Sequence, residues 1–166
     1  MQREISPATV KGVMPTSNGC ALFVGPKEKT FIIYVDSSVG STISMIIEDV
    51  KRERPMTHEL IAHFFTGFGV ELQRVVINHV SNGTFYARII LKMENELGQK
   101  IVEIDSRPSD ALALALYHKS PIYVHHSVLE AVEDVTELLE RILKEQAEAN
   151  AEESEDEDED DNQLLF

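Results

Sequence analysis

The sequence predicts an α+β fold: a mainly antiparallel sheet with packed helices in a single domain, plus a disordered acidic C-terminal tail. Three observations carry that expectation. β-Branched and aromatic runs follow one another across tight turn signals, as in antiparallel hairpins. The run Ala111–Tyr117, ALALALY, is apolar on every helical face and so has to be buried on every face. Between Glu152 and Asp161 nine of ten residues are acidic, and nothing there can build a core.

With 166 residues the chain is long enough to bury a real core. Residues 1–7 read as a flexible lead, residues 8–149 as the folded domain and residues 150–166 as the tail. Ala8–Pro15 alternates weakly and predicts the first strand. Thr16-Ser17-Asn18-Gly19 signals a turn and Cys20–Val24 resumes as strand, a hairpin with a four-residue connection. After the turn Gly25-Pro26-Lys27-Glu28, Thr30–Val35 is β-branched and aromatic. The opening is therefore a three-stranded antiparallel meander.

Ser37 or Ser38 is the expected cap of a first helix reaching about Arg52, with Ile43, Ile46, Ile47 and Val50 at helical spacing. Pro55 disfavours helix at Arg54 and ends it. Thr57 is the expected N-cap of a second helix, Glu59–Phe68, with Gly67 and Gly69 as stop signals. Val70–Val80 and Thr84–Met93 form a hairpin around Ser81-Asn82-Gly83, and Gln99–Asp105 is a further strand. A polar turn, Ser106–Asp110, opens the apolar helix, and Pro121–Val124 follows as strand. Asp134–Ala149 closes the domain as a helix striped by Val135, Leu138, Leu139 and Ile142.

Composition excludes several classes. No apolar run is long enough to span a membrane, and MQREISPATV lacks a basic-then-apolar leader, so a cytoplasmic protein is expected. The one cysteine, Cys20, cannot form an internal disulfide and sits in the apolar run CALFV as a core thiol. Net charge is −14, and without the nine tail carboxylates it is −5. Neither value gives the broad basic face of a non-specific nucleic-acid binder. The adjacent pair His125-His126 diverges and is not expected to share a metal.

Four blocks carry a resemblance. DSRPSDALALAL with the following PIYV, together with RPMTHEL and NGTFYARI, resembles the bifunctional nuclease (BFN) domain of bacteria and plants, over roughly residues 8–130. The resemblance implies an α+β fold and nuclease activity on RNA and DNA. It also suggests a homo-oligomer, with apolar strands such as Arg88–Met93 pairing across a dimer. One stretch departs from it. Where the family pattern resembles I-W-I-G-x-x-E-A, this chain reads Ile33-Tyr34-Val35-Asp36-Ser37-Ser38-Val39-Gly40, with Asp36 for the glycine and Val39 for the glutamate.

Phosphodiester cleavage needs an activated water and stabilised charge on the phosphate, often through carboxylates holding Mg2+ or Mn2+. Glu103, Asp105 and Asp110 are the candidate metal ligands. Asp105, Asp110 and His58 are the candidate catalytic groups. Arg54, Thr57, Arg107 and Ser109 are the candidate substrate contacts. Glu103 and Asp105 share one face of their strand, and Asp110 lies in the first turn of the next helix. The same residues fit a structural role: Asp105 or Ser106 capping the helix, Asp110 opposing its dipole, Arg107 pairing with either carboxylate. RPMTHEL and RPSDALAL echo each other, which suggests two similar helix starts facing one cleft.

The leading expectation is a metal-assisted nuclease acting on RNA or single-stranded DNA. The alternative is a non-enzymatic binding module of the same fold. In it the tail, ending in Leu164-Leu165-Phe166, recruits a protein partner or covers its own cleft by mimicking nucleic acid. That ending distantly resembles short peptides that bind bacterial sliding clamps; the bland reading is an unused terminus.

Overall fold

The computed structural model describes residues 4–163, with side chains up to Ala151. The expected apolar docking end, Leu164–Phe166, and residues 1–3 of the expected flexible lead lie outside the described residues, while residues 150–163 of the tail expected to be disordered belong to a helix. The chain divides into two compact units, Met1–Asp134 and Val135–Phe166.

The first unit is α+β. Its strands are β1 (Ile5–Thr16), β2 (Gly19–Gly25), β3 (Phe31–Val35), β4 (Val70–Ser81), β5 (Thr84–Asn95), β6 (Gly98–Ser106) and β7 (Ile122–His125). Its helices are α1 (Ser37–Ile47), α2 (Thr57–Gly67), α3 (Pro108–His118) and α4 (His126–Ala131). The second unit is the helix α5 (Thr136–Gln163), in which Lys144 and Glu148 pair one turn apart at 3.9 Å.

The seven strands form one sheet in the order β3-β2-β1-β7-β4-β5-β6. β1, β2 and β3 are the expected antiparallel meander. β1 starts at Ile5, three residues before the expected boundary, because its first residues pair with β7, from Ile5 opposite His125 to Ala8 opposite Ile122. The β1–β2 turn is shorter than expected, Ser17-Asn18 alone. The β4–β5 turn is the two-residue Asn82-Gly83, with φ of 49° and 76°. Both angles belong to the left-handed region that this hairpin turn requires and that the Asn-Gly pair tolerates. β5 is paired on both sides, by β4 and β6. Arg88–Met93 therefore cannot pair across a dimer; the free edges are β3 and β6.

The pairing of β7 differs from everything around it. It runs antiparallel to β1 but parallel to β4. β6, α3 and β7 thus make a crossover between two strands of like direction, passing over β5 and β4. Such a connection needs a covering helix, and α3 is that helix. It packs against β4 and β5 on one side and against α1 and α2 on the other. This explains its composition: Ala111, Leu112, Ala113, Leu114 and Ala115 are all buried, as the apolar run demanded. They join Leu22, Phe31, Val75, Ile77, Ile89 and Val124 in one core. At the far end Lys119 turns the chain with φ 55°.

Cys20 is buried, as expected, and lies against α1. A side chain at residue 40 would collide with its sulfur, which is why Gly40 stands in the middle of that helix.

Candidate functional site

The starts of three helices meet at one place. At α1 the cap is Asp36, not Ser37 or Ser38. Its carboxylate accepts from the Val39 N–H at 3.0 Å and from the Ser38 hydroxyl at 2.6 Å. A charged acceptor is the stronger partner for the open N–H groups of a first turn. At α2 the cap position is Met56, not Thr57, and the Glu59 carboxylate reaches back to the Met56 N–H at 2.6 Å. Thr57 is the exposed first residue of the helix, and Arg54 is exposed just before it.

At α3 neither Asp105 nor Ser106 caps. Pro108 occupies the first turn and fixes its backbone angle, which makes Arg107 the cap residue and leaves Asp105 and Ser106 too early in the chain. The Ser106 hydroxyl donates instead to the Arg107 carbonyl at 3.0 Å. No side chain caps α3.

Asp110 joins these elements. Its Oδ2 accepts from Arg107 Nε at 2.7 Å and its Oδ1 from Arg107 Nη2 at 3.2 Å, a two-pronged bond. The same Oδ1 lies 3.0 Å from His58 Nε2 in the first turn of α2. Burial pushes the Asp110 carboxyl up, but the bonds from Arg107 and His58 outweigh it and hold the group below the usual carboxylate range. Asp36 is itself kept ionised by the Ser38 hydroxyl and the Val39 N–H and, more weakly, by the Arg107 charge. The result is a bonded series Arg107, Asp110, His58, with Asp36 lining the same cleft as Arg107 and reaching it through charge alone.

Two hollows flank this series. A cleft of about 390 Å³ is lined by Tyr34, Asp36, Thr84, Arg107 and Ser109 among others. A groove of about 660 Å³ between α1, α2 and α3 is lined by His58, Arg52, Met45, Met56 and Tyr117 among others. The expected resemblance between two helix starts is therefore spatial as well: those of α2 and α3 touch through His58 and Asp110.

The expected carboxylate trio is not assembled. β6 pairs Ile104 with Ile89 and Ser106 with Ala87, and Ile89 and Ala87 face the core that α3 completes. Side chains alternate along a strand. Glu103 and Asp105 therefore project from the opposite face of the sheet to Asp110. Asp105 is exposed there, 3.7 Å from Arg88, and Glu103 is exposed as well. Among the described residues no three His, Cys, Asp or Glu side chains lie together as a metal site. The histidine pair diverges as expected: His126 meets the Ser6 hydroxyl at 3.0 Å, and His125 the Ser127 hydroxyl at 2.7 Å. Of the aromatics in β5, Phe85 stacks on Phe31, and Tyr86 leans on His79.

Sequence reasoning missed Asp36 as a member of the site, although its position was already singled out as a departure from the family pattern. It also missed Arg52 and Tyr117, for which spacing gave no signal. Among the described residues no helix is long and apolar enough to cross a membrane.

Two uncharacterised proteins of Mycobacterium tuberculosis, from strains CDC 1551 / Oshkosh and H37Rv, are each 34% identical to this chain over 97 residues, 58% of its length and 55% of theirs. The chain spans about half the length of these curated relatives. The family model described as the bifunctional nuclease domain matches residues 22–137, which include all of α1, α2 and α3 and the side chains Asp36, His58, Arg107 and Asp110 at their starts. That match covers well over half of the sequence, and the chain belongs to the bifunctional nuclease domain family.

Proposed function

We infer that this protein is a cytoplasmic bacterial nuclease that hydrolyses phosphodiester bonds of RNA or single-stranded DNA at the starts of α2 and α3. The observation that carries the reading is the bonded chain Arg107–Asp110–His58. Asp110 holds the imidazole through Nε2 and leaves Nδ1 for a water. In the reaction the water oxygen attacks phosphorus while its proton passes to His58 Nδ1. Asp110 stabilises the imidazolium that forms, the arrangement that general-base histidines share. The bond from phosphorus to the leaving oxygen then breaks, and that oxygen takes a proton from solvent. Arg107 and Ser109 contact the phosphate, with Arg54 and Thr57 at the α2 entrance as further contacts.

Glu103 and Asp105 are left out of this chemistry because they face away from Asp110. The donor set does not fit a divalent ion held by the protein alone, since each carboxylate at the helix starts is already engaged: Asp110 with Arg107 and His58, Asp36 with the Val39 N–H and the Ser38 hydroxyl, and Glu59 with the Met56 N–H. The steps above therefore use the chain's own residues, and Mg2+ or Mn2+ enters as a variable of the experiment. That experiment is cleavage of labelled RNA and single-stranded DNA by the purified protein with Mg2+, with Mn2+ and with a chelator. Loss of cleavage in His58→Gln, with the fold intact, supports the reading; undiminished cleavage in that variant refutes it.

A second reading has its own observation. Phe64 on the last turn of α2 and Phe68 just after it are exposed, 6.4 Å apart and stacked. That surface suits a binding module with a protein partner or a second copy of the chain, to which the acidic tail adds a further contact. Pull-down with and without residues 150–166 separates the tail's part from that of the α2 surface.

A further inference from the structure

We propose that the cleft at the start of α3 is a phosphodiester subsite that accepts a singly charged phosphate and rejects a doubly charged one, with Asp36 as the selecting residue. The inference rests on the nuclease reading for its biological substrate, but its geometry stands alone.

Three kinds of donor converge there: a hydroxyl, backbone N–H groups and a guanidinium. Ser109 is only 7% exposed and lines the cleft, yet among the described residues its hydroxyl makes no hydrogen bond. Pro108 has no N–H, and no side chain caps the helix. The first backbone bond of this turn runs from the Ala111 N–H to the Arg107 carbonyl at 3.1 Å. The N–H groups of Ser109 and Asp110 are thus open, at the positive end of a helix of eleven residues. Arg107 uses Nε and Nη2 on Asp110 and keeps its remaining N–H groups for the cleft. A buried hydroxyl, two backbone N–H groups and a guanidinium match the oxygens of one phosphate.

The charges decide which phosphate. The Arg107 guanidinium is bonded to Asp110, and a second carboxylate, Asp36, lines the same cleft. His58, beyond Asp110, adds a positive charge only when protonated. An internal phosphodiester carries one negative charge and meets enough donors to enter. A terminal phosphate carries close to two at neutral pH, and the second charge faces Asp36 with no cation besides Arg107 among the described residues lining the cleft. The cleft therefore reads the inside of a chain in preference to its phosphorylated end. Asp36 stands where the family pattern resembles glycine, which has no charge to offer.

The test uses dimethyl phosphate and methyl phosphate, which differ chiefly in charge at pH 8. Each is titrated into the isotope-labelled full-length protein while the amide resonances of Ser109 and Asp110 are followed. Dimethyl phosphate should move both resonances and bind roughly fivefold more tightly than methyl phosphate at low ionic strength, a gap that narrows in high salt. Asp36→Asn keeps a capping side chain and should bring methyl phosphate level with the diester. Ser109→Ala should weaken both ligands roughly tenfold. If neither ligand moves these amides, there is no subsite. If wild type binds both alike, or Asp36→Asn leaves the gap as it was, the selectivity assigned to Asp36 is refuted. None of these measurements needs turnover. A protein that shows the pattern but cleaves nothing loses the nuclease reading and keeps the subsite. One that cleaves RNA while both phosphates leave the amides unmoved does the reverse.

Discussion

His58 Nε2 lies 3.0 Å from Asp110 Oδ1, across 52 residues of sequence and between the first turns of two different helices. The contact fixes which ring nitrogen is engaged and which is free. His58→Gln and Asp110→Asn should each lower the initial rate of RNA cleavage by roughly 10²–10⁴-fold, the usual worth of a positioned general base. Glu103→Gln and Asp105→Ala should leave that rate unchanged, because both side chains face away. A loss in Asp105→Ala equal to that in Asp110→Asn would return Asp105 to the site.

Asp110 also ties the fold to pH. Its carboxyl is held below the usual range in the folded chain, so the stabilisation is fully present above the unfolded value near 3.9 and is lost as pH falls through the folded one. Urea unfolding of Asp110→Asn should show lower stability than wild type at pH 7 and a shallower fall in stability between about pH 5 and pH 2. Parallel curves for the two proteins across that window would mean that Arg107 and His58 contribute nothing through this carboxylate.

His118 acts in the opposite sense. Burial lowers its affinity for a proton, and its Nε2 is enclosed without a partner while the ring stacks on Phe65 at 5.7 Å. The unfolded chain takes up the proton first, so stability is full above about pH 6.5 and is lost as pH falls below it. His118→Phe keeps an aromatic ring on Phe65 and removes the titration. Its melting temperature should fall less than that of wild type between pH 7.5 and pH 5.5; equal falls would show that His118 is not responsible.

Gly40 and Cys20 share one volume. Gly40→Ala drives a methyl group into the Cys20 sulfur and should cost roughly 1–3 kcal/mol by chemical denaturation. Shrinking the neighbour should recover much of that loss, so the double variant Gly40→Ala, Cys20→Ala should be more stable than Gly40→Ala alone. Additive losses would place the strain elsewhere than at the sulfur.

The elements that periodicity marks came through: the hairpins, the Asn82-Gly83 turn and the buried α3. What periodicity cannot carry is which residue caps a helix, since Asp36 wins over Ser37 and Ser38 by charge and Pro108 sets the start of α3 by geometry. It also cannot say which side of a sheet a strand turns toward its helices. Glu103 and Asp105 were correctly placed on one face, but which face was decided by the pairing of their neighbours Ile104 and Ser106 with the core residues Ile89 and Ala87 of another strand. The contact of His58 with Asp110 was legible only as an echo between two motifs. The part played by Asp36 was legible only as a departure from a pattern, with no hint that Arg107 would stand beside it.

The place of β7 has a consequence for the order of assembly. The meander β1–β3 and the block β4–β6 are each complete in their local pairings, yet within the sheet they meet only through Ile122–His125. On a chain made from its N-terminus, that seam is synthesised after both halves. Until residue 125 is available, the inner edges of β1 and β4 stay open, two strands' worth of unpaired amides facing each other across a gap. Closure is thus a late, long-range event, and a nascent chain arrested before Pro121 would hold two separate three-stranded pieces and no seven-stranded sheet.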